Sequence, residues 1–108
     1  MTLREIQDEV DRWTGQFDPQ YWPPFQINSR MSEEVGELSR EVSHIYGFKK
    51  KKPDELESSI GKELSDIVFT VACMANSQNI DLQEEWEKMM KEKHYGRDQN
   101  RYEKKGQH

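Results

Sequence analysis

The sequence predicts an all-α protein, four amphipathic helices joined by short connections in an oligomeric helical bundle. Three observations predict it. Apolar residues recur at spacings of three and four through four segments, no segment alternates with period two, and Gly, Pro or Asn punctuates each gap. The 108 residues suit one domain, and a hydrophobic fraction of 32% against a charged fraction of 34% gives a single copy only a thin core. Small helical chains of this composition often gain burial by associating, which points to an oligomer.

The first helix opens on Thr2-Leu-Arg-Glu5, the spacing of a capping box, and its stripe is Leu3, Ile6, Val10, Trp13 and Phe17. Asp18-Pro19 ends it, and Tyr21-Trp-Pro-Pro24 follows as a rigid aromatic connection. Trp13, Phe17, Tyr21 and Trp22 have two readings. Flat rings stack on a nucleobase, with Trp13 the candidate substrate contact, but core packing is the commoner use of any single ring.

The second helix is expected from Pro24 to Tyr46, with Gly47 placed to stop it. Its stripe is Met31, Val35, Leu38, Val42 and Ile45, and Glu34 and Glu37 fall on one side of that stripe, about 60° apart. Lys49-Lys-Lys-Lys52 and Pro53 read as a solvated loop rather than a phosphate grip. A third helix, from about Asp54 to Ser77, carries the stripe Ile60, Leu64, Ile67, Val71 and Met74, with Glu63 and Asp66 at the same offset. Gly61 inside it suggests close approach of a neighbouring helix. Asn79 suits a left-handed stop, Asp81-Leu-Gln-Glu84 a fresh cap, and Leu82, Trp86, Met89 and Met90 a fourth helix ending near His94, before Gly96. Residues 1–96 thus read as one domain and 97–108 as a polar tail.

Chemistry enters through the two acidic pairs. If the two stripes pack together, Glu34 and Glu37 face Glu63 and Asp66 at the edge of the seam, where they repel one another unless a cation sits among them. Magnesium prefers such hard oxygen ligands and keeps water positions that substrate phosphates can fill. Glu41-Val-Ser-His44 is half of a di-iron carboxylate arrangement, but neither His94 nor His108 follows a Glu by three. A di-iron oxidase is therefore not supported, and His44 reads as a surface or supporting residue. Lys93, Arg97 and Arg101 step by four into the tail, either gripping phosphate or complementing a helix C-terminus.

Other classes recede. A net charge of −5 argues against nucleic-acid polymers and anionic membranes. Cys73, the sole cysteine, lies in an apolar run too short to span a bilayer and reads as a small core residue. The polar N-terminus is no signal peptide, and the cytoplasm is the expected compartment.

Glu33-Glu34-Val-Gly-Glu37, followed after 25 residues by Glu63-Leu-Ser-Asp66, resembles the EExxE…ExxD signature of the MazG-like nucleoside triphosphate pyrophosphohydrolases. Arg40 through Gly47, Ala75 through Leu82, and Lys93 through Asp98 also resemble the short, stand-alone bacterial branch of that family. The resemblance implies an all-α NTP-pyrophosphatase fold and a homodimer or homotetramer whose neighbouring subunits complete the site. It implies Mg²⁺, with Mn²⁺ a possible substitute, on Glu34, Glu37, Glu63 and Asp66, and hydrolysis of a (d)NTP to (d)NMP and pyrophosphate. Glu33, beside the ligands, becomes a candidate to orient the attacking water, and Lys93, Arg97 and Arg101 become candidates to hold phosphates. The alternative is a helical oligomer that binds a nucleotide or partner protein without catalysis.

Overall fold

The computed structural model describes residues 1–47 and 59–106. It contains α1 (Leu3–Thr14), α2 (Pro24–Tyr46), α3 (Ile60–Ser77) and α4 (Leu82–Met89), the last continued by a π-helical stretch, Met90–Arg97. Among the described residues there is no strand, and no helix is long and apolar enough to cross a membrane. α3 is the central element, packing against both α2 and α1, while α1 also packs against α4.

Each helix end has a local cause. Thr2 accepts from the Glu5 amide at 3.1 Å, and the Glu5 carboxylate accepts from the Thr2 amide at 2.8 Å, closing the expected capping box. α1 stops at Thr14 rather than Phe17, because the Thr14 hydroxyl donates back to the Val10 carbonyl at 2.8 Å and Gly15 caps the end. Pro24 stands in the first turn of α2. Gly47 ends that helix, where an added Cβ would meet the Ser43 carbonyl oxygen at 2.6 Å.

α3 begins at Ile60, not near Asp54. Ser59 is extended and caps the first turn by accepting from the Lys62 amide at 3.0 Å. The expected lysine loop, and the part of the helix drawn from Asp54, lie outside the described residues. Among the described residues no helix lies close against Gly61: only the Ser59 hydroxyl, at 3.9 Å, comes near the position of a Cβ. At the other end Asn79 has φ +56°, and the Ile80 amide donates to the Ala75 carbonyl at 2.8 Å in a Schellman stop. Asp81 then caps α4 by accepting from the amides of Gln83 and Glu84. The fourth helix does not end near His94. It widens into π geometry and runs through Gly96, which needs to be glycine, since a Cβ there would lie 2.9 Å from the Lys91 carbonyl oxygen.

Packing departs from expectation at the stripes. Val35, Ile45 and Leu64 are 48%, 55% and 49% exposed, and Val42 is exposed as well. The two apolar stripes therefore do not meet in the α2–α3 seam. Ile27, Glu34 and Glu41 are buried on α2, and Glu63, Thr70, Ala72 and Ala75 on α3. The periodicity located the stripes correctly, but among the described residues no further helix covers them. Val10, Ile27, Ala72 and Ala75 are the buried apolar residues among those described, and the radius of gyration is 17.8 Å against roughly 13 Å for a compact domain of this length.

A polar network replaces part of the missing core. Buried Gln7 donates to the Asn76 side chain at 2.9 Å and the Ile80 carbonyl at 2.7 Å, and accepts from the Leu82 amide at 2.8 Å. The Asn76 amide in turn donates to the Gln7 carbonyl and to the Tyr21 hydroxyl, which donates to Asp11. Gln7 thus fastens α1 to the α3–α4 corner. Replacing Gln7 with Ala strands the Leu82 amide and the Asn76 side-chain oxygen, and is expected to destabilise the protein by about 2 kcal/mol. Urea unfolding of both proteins at one protein concentration checks this, with an unchanged midpoint as the contrary result.

Candidate active site

α2 contributes Glu34 and Glu37, one turn apart, and α3 contributes Glu63 across the seam. One carboxylate oxygen from each lies within 4.8 Å of the other two. Glu34 is 2% exposed and Glu63 5% exposed, while Glu37 stands at the open edge. The Arg30 guanidinium reaches Glu34 Oε1 at 2.7 Å through Nη2 and Glu33 Oε2 at 3.3 Å through Nη1. Glu34 Oε2 is buried with no hydrogen-bond partner. A buried carboxylate oxygen left without a donor is costly, and a hard cation is the partner that suits it.

Beside the triad opens a cleft of about 630 Å³. Trp13, Phe17, Tyr21, Trp22 and Phe69 supply ring walls, and Arg30, Glu34, Asp66 and Thr70 supply polar lining. Trp13 meets Phe17 edge-on at 5.0 Å between centroids and Phe69 at 5.9 Å, so the ring faces are not stacked against each other. Such a cavity has the size and mixed lining of a small-molecule site.

The sequence-predicted residues divide accordingly. Glu34, Glu37 and Glu63 come together, Asp66 lines the cleft with Glu34, and Trp13 forms part of its wall. Glu33 is exposed beside Arg30. Arg97 and Arg101 lie 3.2 and 3.7 Å from the Asp98 carboxylate, and neither they nor Lys93 line the cleft of their own chain. His44 is not at the surface: its side chain is buried next to Glu41, 3.9 Å away. Cys73 is half-buried on the cleft wall, and burial pushes its thiol up, away from the thiolate a nucleophile needs. Sequence reading missed Arg30 and Phe69. The four-residue step from Arg30 to Glu34 is a helical ion-pair spacing and carried the signal for the first; Phe69 lies off the α3 stripe and gave none.

Three carboxylates gathered on a helical frame beside a ring-walled cleft form the kind of site that handles a small polar molecule. The chain is a member of the MazG nucleotide pyrophosphohydrolase family, whose domain matches residues 24–102. It is 43% identical over 104 residues to YpjD of Bacillus subtilis (strain 168), covering 96% of this chain and 93% of that protein. The crystal structure of YpjD from Bacillus subtilis has a TM-score of 0.76 at 42% identity, over 87% of this chain and 96% of the other. The crystal structure of the Bacillus-conserved MazG protein, a nucleotide pyrophosphohydrolase, has a TM-score of 0.72 at 43% identity, over 84% and 87% respectively.

The triad carries a pH signature. The Glu37 carboxyl is pushed up by partial desolvation, by the hydrogen bond it shares with Glu63, and by the charges of Glu34 and Glu63. The folded chain then keeps a proton that the unfolded chain has released, so this group's contribution is present at acid pH. It is lost as pH rises from the ordinary carboxylate range through the raised value. Melting temperatures in EDTA are expected to fall over that range, and Glu37→Gln to flatten the fall. Parallel profiles for the two proteins would contradict the crowding described here.

Proposed function

We propose that the chain hydrolyses a nucleoside triphosphate, ribo or deoxy, to the monophosphate and pyrophosphate with Mg²⁺, and that Mn²⁺ can substitute. The observation that carries this reading is the carboxylate triad with its unpartnered buried Glu34 oxygen, set directly beside the cleft. Glu34, Glu37 and Glu63 would hold the cation, with Asp66 as the further ligand on the cleft side. When bound, the ion neutralises phosphate oxygens and makes a nucleophile of bound water at neutral pH. Trp13 and the neighbouring rings receive the base, and this places the phosphates toward Glu34 and Asp66. Glu33 is the proposed water-orienting group.

Lys93, Arg97 and Arg101 fit this reading as phosphate contacts supplied by a neighbouring subunit, since they lie away from the cleft of their own chain. The exposed stripes of α2 and α3 support a homodimer or homotetramer that covers them. A cytoplasmic enzyme acting on the nucleotide pool is the setting that suits such a reaction.

Two measurements test the proposal. Product analysis with the common NTPs and dNTPs is expected to give monophosphate and pyrophosphate with Mg²⁺ and nothing in EDTA. Glu37→Gln and Asp66→Asn are each expected to lower turnover roughly a hundredfold or more while the helical circular dichroism is retained. Orthophosphate as product would reassign the scissile bond, and tight nucleotide binding without turnover would favour a binding module. For the assembly, Val35→Asp with Leu64→Asp is expected to lower the sedimentation mass toward that of one chain; an unchanged mass would place the interface elsewhere.

A further inference from the structure

Arg30 is the basic side chain that both pairs with the triad and lines the cleft. Its guanidinium bridges Glu34 on one arm and Glu33 on the other, and it remains half-exposed despite the 2.7 Å contact. Glu34 Oε1, the atom it holds, belongs to a carboxylate whose other oxygen is buried and unpartnered. A cation that took Glu34 would bring the ion and the guanidinium into competition for one carboxylate, and two cations side by side repel. The arginine displaced in this way has the cleft, where a triphosphate would bring excess negative charge, as its open direction.

We propose that Arg30 is an exchangeable counter-ion: it holds Glu34 while the triad has no metal, and on metal binding it turns into the cleft to grip the nucleotide's phosphates. The proposal rests on the reading of the triad as the metal site. Arginine suits both posts, since its planar fork matches carboxylate and phosphate alike and stays charged at any physiological pH. Glu33 gives the guanidinium a second anchor, so that one arm stays held while the other changes partner. Arg30 is in this account a substrate-positioning residue.

The exchange makes a prediction with opposite signs. Losing the guanidinium removes a competitor for Glu34, so Arg30→Met should bind Mn²⁺, followed as a paramagnetic probe without nucleotide, severalfold more tightly than wild type. The same variant should raise the KM for the triphosphate roughly tenfold or more, the loss expected for a charge-assisted contact, with a smaller change in kcat. Arg30→Lys, which keeps the charge but loses the fork, should fall between the two and guards against a variant that fails to fold. If metal affinity and nucleotide affinity weaken together, or neither moves, Arg30 is a structural ion pair only and the proposal fails. A wild-type protein that binds no Mn²⁺ would instead overturn the metal reading, and this inference with it.

Discussion

Crowding of like charge in the α2–α3 seam is the constraint on which the rest of the structure depends. Three carboxylate oxygens within 4.8 Å repel by about 3 kcal/mol per ionised pair at the effective dielectric of a protein surface. Summed over the pairs, that approaches the whole stability of a small domain. The triad therefore cannot stay fully charged without compensation. Arg30 supplies part of it, the proton favoured on Glu37 supplies more, and a divalent ion, if bound, would supply the rest. The features that mark this seam as a site for chemistry are those that make it a poor place to store stability.

Stability then has to come from elsewhere, and the chain shows where. Capping residues close the helix ends at Thr2, Ser59, Asn79 and Asp81, and hydrogen bonds through Gln7 and Asn76 bind α1 to the α3–α4 corner. Little apolar burial accompanies them. The stripes that would form the core of a self-sufficient bundle lie on the outside, at Val35, Val42, Ile45 and Leu64. The acidic face of the two helices is the buried one, and the apolar stripes lie beside it at the surface. A helix that turns its acids inward must turn its valines and isoleucines outward.

This division also explains what could be read from the sequence. Helix number, the cap at Thr2, the start at Pro24 and the left-handed turn at Asn79 were all legible, because each is decided by neighbours in the chain. Glu34, Glu37 and Glu63 were legible as a group because equal spacing on two helices survives any choice of packing partner. The face that points inward was not, since a 3.6-residue period fixes the stripe without naming what covers it. Of the two readings of His44, surface or supporting residue, the surface one fails for the same reason: its burial follows from the inward turn of the Glu41 face. The end of α4 was misjudged because the widening to π geometry has no composition signal beyond Gly96.

One consequence follows from how α1 is held. Gln7 and Trp13 stand six residues apart, about 9 Å along the axis. The first is fixed at the α3–α4 corner and the second forms the wall of the cleft. α1 thus carries an anchor near its middle and a cleft-lining ring near its C-terminal end. Trp13 meets Phe69 of α3 edge-on, whereas the triad carboxylates sit on α2 and α3 and have no part in holding α1. One cleft wall and the carboxylates therefore belong to different helices, so a substitution on α1 can reshape the cleft without touching the acidic residues.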